Sequence, residues 1–379
     1  MERIAQDGTS VVPALPLRKS PLPVLFVCAS DTLVRLLIPV ADALLPSGAQ
    51  VLFAKLQFTD EAAEFELARH RPRSDYLGSV RHTADWLSKF GCVVMGNDWG
   101  REARALILLA RRIGIPTVCV QESVINLTDS MRRMRYAEHV LVQGEISASM
   151  LADRERIRIT GNPRYERLHI EPRPPVAHAL LNCNFTYGVE EDHRHAWLGA
   201  AVQSCVDSKL AVTILQHPRD AADLSSYGCP VIRTSAATIH DRLKEGSVVV
   251  TRFSSLIHEA IALGRPAVYF NPHNESQGYD FGPACSVLRR ASSTAELKES
   301  LTTLRESPPS STEFETYLRS HIRPTDTLPS VACAREIGDI SAGGAAVAGH
   351  PARYDRVRRA RLLAYCIAEK FYLLARDRL

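Results

Sequence analysis

The chain has 379 residues, of which 45% are apolar and 23% charged. That is the make-up of a soluble globular protein of about two or three domains, and it excludes disordered, collagen-like and polytopic membrane chains. The net charge is +4, yet 353–379 holds eight Lys/Arg against three Asp/Glu, which leaves residues 1–352 at −1. The protein as a whole is therefore not read as a nucleic-acid binder.

Nine cysteines (Cys28, Cys92, Cys119, Cys183, Cys205, Cys229, Cys285, Cys333 and Cys366) are scattered without a CxxC pair. Several fall inside predicted strands or helices, as buried thiols do, and neither a disulfide framework nor a zinc site is expected. Residues 1–23 carry Pro13, Pro16, Pro21 and Pro23 and no continuous apolar run. A flexible leader, no signal peptide and a cytoplasmic location are expected.

From 24 onward the pattern is regular. The run 24–29 (VLFVCA) predicts a strand buried on both faces. Residues 31–45 have a helical period, closed by Pro46 and Gly48, and 50–54 predict a second strand. Residues 60–90 read as helices with polar loops. Strands are predicted at 92–95, 117–120, 139–142 and 157–160, with a helix over 101–113. A proline-rich break at 169–177 reads as a linker, after which the alternation restarts. Strands are expected at 179–182, 211–215, 231–233, 248–250 and 267–270. Helices are expected at 192–207, 237–244 and 254–263. Apolar strands alternating with amphipathic helices predict parallel sheets with helices on both faces. The expectation is α/β, with one Rossmann-like domain over 24–168, a second over 178–305, and a cleft between them. Residues 306–350, rich in Ser, Pro, Thr, Gly and Ala, are expected to be irregular. Residues 351–379 read as a basic amphipathic helix. Val357, Ala360, Ala364, Ile367, Phe371 and Leu374 form its seam, with Arg356, Arg358, Arg359 and Arg361 clustered at its start. Such a helix either packs onto the domains or lies on an anionic bilayer surface through 353–378.

In open α/β sheets ligands bind beyond the carboxyl ends of the strands, so the polar residues there are the candidates. Ser254 and Ser255 follow the strand at 248–250, and Ser254 is a good N-cap. The helix start suits a phosphate, and Glu259, one turn on, shares the face of Ser255 and can accept ribose hydroxyls. The alternative is a capped helix with a solvated Glu259. His217-Pro218 follows the strand at 211–215; the imidazole can hydrogen-bond or protonate a leaving phosphate, with Arg219 adding charge. The alternative is a plain turn.

Asp98 and Glu122 follow strands of the first half and are candidates for a general base; the alternatives are N-capping by Asp98 and a surface Glu122. Gly161 can admit close approach of a ligand or simply make a turn. Glu275, after the strand at 267–270, can contact a donor sugar. The cluster Arg132, Arg133 and Arg135 reads as a solvated face. No dinucleotide, P-loop, zincin or nucleophile-elbow motif stands at a usable position, and no metal-ligand spacing is apparent.

Three stretches carry a resemblance. The string 94–122 (VMGNDWGREARALILLARRIGIPTVCVQE), Ile159-Thr160-Gly161-Asn162-Pro163, and 253–268 resemble the GT-B glycosyltransferase superfamily, which includes the UDP-N-acetylglucosamine 2-epimerases. The likeness covers about 24–300. It departs from the epimerases at Gln121-Glu122-Ser123-Val124, at Asn184-Phe185-Thr186-Tyr187-Gly188, and at Ser254-Ser255, where they have a glycine pair. His217-Pro218 with Ser254-Ser255 is similar instead to bacterial capsule and surface-polysaccharide transferases. Those include CMP-sugar-using sialyl- and Kdo-transferases and CDP-polyol phosphotransferases. The resemblance implies a metal-independent transferase that uses a nucleotide-sugar as co-substrate and needs no other cofactor. Ser254 and Ser255 would hold phosphate, Glu259 ribose and His217 the leaving phosphate. Asp98, in Asn97-Asp98-Trp99-Gly100, or Glu122 would be the base. A glycan or lipid-linked glycan would be the acceptor, with the protein in the cytoplasm or on the inner membrane face. A UDP-N-acetylglucosamine 2-epimerase-like isomerase and a CDP-polyol phosphotransferase are the alternative activities.

Overall fold

The computed structural model describes residues 22–56, 75–98, 100–125, 134–186, 190–235, 237–275 and 281–343. The expected basic helix at 351–379, most of the leader, and Arg132 and Arg133 lie outside the described residues; Arg135 is exposed.

Two sheets are present. The first comprises β1 (Val24–Cys28), β2 (Val51–Lys55), β3 (Tyr76–Ser79), β4 (Cys92–Met95), β5 (Thr117–Val120), β6 (His139–Val142) and β7 (Ile157–Ile159), in the order β3-β2-β1-β4-β5-β6-β7. The second comprises β8 (His178–Cys183), β9 (Ala211–Gln216), β10 (Val231–Arg233), β11 (Val248–Thr251), β12 (Ala267–Phe270) and β13 (Leu288–Ala291), in the order β10-β9-β8-β11-β12-β13. Pairing is parallel at β1 with β2 and β4, and along the whole second sheet. Each order doubles back on its first strand, as in a doubly wound sheet, and matches the two Rossmann-like halves expected.

The described residues fall into two compact units. One is drawn from Met1–Met95, Arg101–Val118 and Val331–Leu379, the other from Gly96–Gly100 and Cys119–Ser330. The expected linker at 169–177 lies inside the second unit. There Glu171 donates its N–H to the Leu263 carbonyl at 3.3 Å.

The second sheet shows how continuous apolar strands fold. Leu180, Leu215 and Val249 face one core, together with Leu256, Ile257, Ala260 and Ile261. Their neighbours Ala179, Leu181, Ile214, Val248 and Val250 face another, around Trp197 and Phe270. The period of two sends alternate residues to opposite faces, so a strand between two helical layers is apolar throughout. Trp197 satisfies its one polar group by donating Nε1–H to the Phe270 carbonyl at 3.0 Å.

Three expectations are corrected. Residues 76–79 form the edge strand β3 rather than helix, and β13, with Arg289 and Arg290 at its middle, is a further strand. Edge strands tolerate glycine and charge because one flank is solvated, so their pattern is weak. Of the stretch 306–350, the described residues are not irregular: helices run over Ser311–His321 and Pro329–Gly343. The first begins with a capping box in which Ser310 and Glu313 satisfy each other's backbone amides, a signature carried by the same Ser/Thr-rich composition that reads as loop. Among the described residues all eight cysteines are free thiols. No described helix is long and apolar enough to cross a membrane.

Ser310→Ala removes half of this box. It is expected to cost about 1 kcal/mol and to lower the melting temperature by roughly 2 °C in a chain of this size, which a thermal unfolding scan reads directly.

Candidate functional site

The carboxyl edge of the second sheet carries four loops side by side, beginning at His217, Asn184, Arg252 and Asn271. In register, Gln216 lies beside Cys183 and Asn182 beside Thr251, so the ends of β9, β8 and β11 are level. The strand ends leading to His217 and to Ser254 are two spacings, about 10 Å, apart. Polar bonds tie the loops together. Asn184 Nδ2 donates to the Phe253 carbonyl at 3.2 Å, and Arg252 Nη1 to the Asn184 carbonyl at 2.8 Å. Arg194 bridges to Asp220 at 3.3 Å.

His217 is half-buried, and its Nδ1 accepts the Arg219 backbone N–H at 3.2 Å. That bond leaves the neutral ring's proton on Nε2, so the imidazole presents a donor. Burial first, then the Arg219 charge, hold its pKa below the usual histidine value, against an opposing pull from Asp220. The Arg219 side chain itself is exposed.

Ser254 and Ser255 are both partly exposed. The N-cap position falls at Ser255, one residue later than expected, and Ser254 Oγ accepts the Leu256 N–H at 3.2 Å. The helix Leu256–Ala262 is buried at every position.

A second group gathers around the turn after β7. Asn162 is fully buried. Its Nδ2 donates to the Glu122 carbonyl at 3.2 Å and to Gln143 Oε1 at 3.0 Å, and its Oδ1 accepts the Arg164 N–H at 3.0 Å. Arg164 continues the link. Nη1 bonds the Glu122 carbonyl at 3.3 Å, and Nη2 pairs with Glu259 Oε1 at 3.3 Å. The other Glu259 oxygen takes His240 Nε2 at 2.8 Å. Burial alone would raise the Glu259 pKa, but the His240 hydrogen bond and the Arg164 charge carry it below the usual carboxylate range. Tyr165 lies in the same cluster, within electrostatic reach of Arg164, Glu259 and Glu122 and beside the Ser255 side chain. The structure thus brings Glu122, Ser255 and Glu259 together, while His217 and Arg219 stand at the end of a different strand.

Four expected roles are revised. Asp98 is fully buried, and its carboxylate accepts the backbone N–H groups of Met134 (2.5 Å), Tyr136 (2.7 Å) and Ala137 (3.1 Å). It clamps the loop before β6 and is not placed as a base. Glu275, expected at a donor sugar, is buried in an ion pair with Arg252 at 2.7 Å, with side-chain exposures of 1% and 0%. Gly161 has φ +85°, and a Cβ there would stand 2.8 Å from the Pro329 ring. The close approach it permits is to the chain itself. Glu259 has both oxygens engaged, one by Arg164 and one by His240, so one remaining lone pair on each is what a ribose could use.

Sequence reasoning missed Asn162, Arg164, Tyr165, Arg252 and His258. The signal for the first three was adjacent, in Gly161-Asn162-Pro163-Arg164-Tyr165, but only contacts distant in sequence give them partners. His258 is buried between Gln143 (3.4 Å) and the Tyr317 hydroxyl (3.1 Å). Burial, and then His321, push its pKa down to about 3. Among the described residues no group of three or more His, Cys, Asp or Glu is placed to hold a metal ion.

No family model and no curated protein matches the chain. Solved structures do. UDP-GlcNAc 2-epimerase from Neisseria meningitidis, bound to UDP-GlcNAc, has 14% identity and a TM-score of 0.58, over 84% of this chain and 99% of that one. The Methanocaldococcus jannaschii UDP-GlcNAc 2-epimerase, in complex with UDP-GlcNAc and UDP, has 12% identity and a TM-score of 0.54, over 85% and 99%. The glycotransferase of kitacinnamycin has 12% identity and a TM-score of 0.55, over 86% and 99%. At these identities the likeness establishes the fold, which is the GT-B fold of two Rossmann-like halves.

Two outcomes follow from the buried charges. Glu275→Ala leaves Arg252 buried without its counter-ion and is expected to cost about 3–5 kcal/mol in urea denaturation; a cost near zero would mean the pair is solvated. His258 has a folded-state pKa of about 3 against 6.5 unfolded, so the unfolded chain binds more protons between those values. Its contribution is complete above about pH 6.5 and lost as the pH falls toward 3. His258→Gln is therefore expected to flatten the loss of stability between about pH 7 and pH 4.

Proposed function

We propose that the protein is a glycosyltransferase that moves a sugar from a CMP- or UDP-linked donor to a glycan acceptor without a metal ion. The observation that carries this reading is His217, fixed as an Nε2–H donor on the sheet edge that also carries Ser254 and Ser255. A hydrogen bond from Nε2 stabilises negative charge on a departing phosphate, and the two serine hydroxyls add donors beside it. Glu122 is the acceptor's base. Its backbone carbonyl is held by Asn162 and Arg164, and unlike Asp98 its residue is partly exposed.

The step balances simply. The acceptor oxygen attacks the anomeric carbon and its proton passes to the Glu122 carboxylate. The bond from that carbon to the phosphate oxygen breaks, its electron pair remaining on the phosphate. Displacement needs one base, whereas elimination and re-addition at C2 of a UDP-sugar calls for an acid and a base around the sugar. With Asp98 committed to backbone amides, the balance favours transfer over epimerisation. A surface or lipid-linked glycan as acceptor, and a place on the inner membrane face, belong to the same reading; the charge of 353–379 supports them.

The test is release of nucleotide from CMP- and UDP-sugars with and without a glycan acceptor. Release is expected to depend on the acceptor, and His217→Ala is expected to lower it about 10²–10⁴-fold at an unchanged melting temperature. Wild-type turnover in that variant would remove His217 from the mechanism. Deuterium uptake into the sugar of a UDP donor, with no acceptor present, would replace transfer by epimerisation.

A further inference from the structure

Two loops of the second unit meet beside the end of β11. β8 and β12 flank β11 in the sheet, and the chain leaving each of them is tied to Arg252. Nη1 donates to the Asn184 carbonyl at 2.8 Å, and Nε pairs with Glu275 at 2.7 Å. This tie is fully buried. Further out the same two loops touch through a pair of imidazoles. The rings of His193 and His273 stack with their centroids 4.1 Å apart and their planes at 11°. Each loop also holds one residue in the left-handed region, Glu190 at φ +56° and Asn274 at φ +53°, a conformation that non-glycine residues seldom adopt.

The charges around the pair allow it one proton. Glu190 Oε2 lies 3.3 Å from His193 Nε2 and favours a proton there. His273 Nε2 is buried and has no hydrogen-bond partner. Burial first, then His193, hold the His273 pKa below the usual histidine value, against Glu275 and Glu190, and Arg252 acts in the same direction as burial. Arg194, next to His193, is turned to Glu191 and Asp220. A second proton would set two like charges face to face at the stacking distance.

We propose that His193 and His273 form a proton-sensitive latch, which holds the turn at 190–193 against the loop at 271–275 and parts when both rings are protonated. Parted rings are solvated and take up protons near the ordinary histidine value of about 6.5. The open latch therefore binds one proton more than the closed one. It is closed above that pH and opens as the pH falls below it. Arg252 keeps its charge throughout this range, so the inner tie remains. The strand between the two loops leads directly into Ser254 and Ser255, which places the latch beside the candidate phosphate position. The latch belongs to the chain without ligand, so its test needs none.

Hydrogen exchange of the full chain is followed by mass spectrometry from about pH 7.5 to about pH 5, across the histidine range, with each rate divided by its intrinsic value at that pH. The informative amides are His193, bonded to the Glu190 carbonyl at 3.1 Å, and Asn274, bonded to the Asn271 carbonyl at 3.4 Å. In the wild type, protection of peptides covering 190–193 and 271–275 is expected to fall below about pH 6.5, by up to about tenfold per pH unit, the limit for one proton. His273→Phe keeps a flat ring without the second charge, and its protection is expected to stay high across the range. His193→Gln, at a side chain 44% exposed, keeps the fold and loses the stack, and its protection is expected to be low and level. Protection in the wild type that does not change with pH would overturn the latch. So would a fall with pH retained in either variant, which would assign the change to other groups.

Discussion

The placement of the candidate site depends on one buried amide. Asn162 has no exposure, and its side chain is committed three ways: both Nδ2 hydrogens, to the Glu122 carbonyl and to Gln143, and Oδ1, to the Arg164 N–H. An amide is suited to this because it donates and accepts from one planar group without carrying charge into the interior. A carboxylate there would leave the Glu122 and Gln143 oxygens facing another oxygen, and an apolar residue would leave buried acceptors unpaired. Through that one side chain the strand end at Glu122, the Gln143 side chain and the turn at Arg164 take fixed positions.

Charge is distributed around this hub with consistent pairing. Glu259 is held between Arg164 and His240, Glu275 against Arg252, and Asp98 by three backbone amides. Each of these acids is buried and each has its compensation, as the cost of desolvating a carboxylate requires. Glu122 is the partly exposed member of the group, and that difference turns it from a structural acid into the candidate base.

Much of the fold was legible from local pattern. The VLFVC run of β1 and the exact bounds of β10 and β12 follow from short apolar runs between turn residues. Edge strands β3 and β13 were not legible, because a half-solvated strand can carry Gly78 or Arg289 at no cost to the core. The helix Ser311–His321 was hidden by composition, though its capping box stands in the sequence at Ser310 and Glu313. The candidate site was legible only as a set of strand ends. Asp98, Glu122 and Glu275 all follow strands, and sequence alone does not distinguish them. What separates them is which backbone amide or guanidinium reaches each one, and for Asp98 those amides lie about forty residues away. Asn162 and Arg164 stand in the Gly161-Asn162-Pro163-Arg164 turn that the sequence singles out, but their partners Glu122, Gln143 and Glu259 lie far along the chain.

The central claim is that the sheet edge carrying His217, Ser254 and Ser255 binds a nucleotide. Thermal unfolding of the full chain with CMP, CDP, UDP and GDP in turn tests it most directly. A nucleotide present at a hundred times its dissociation constant should add about 2.7 kcal/mol, and the account predicts a selective rise of the melting temperature by a few degrees with CMP or UDP. No rise with any of the four, at millimolar concentration, would contradict it.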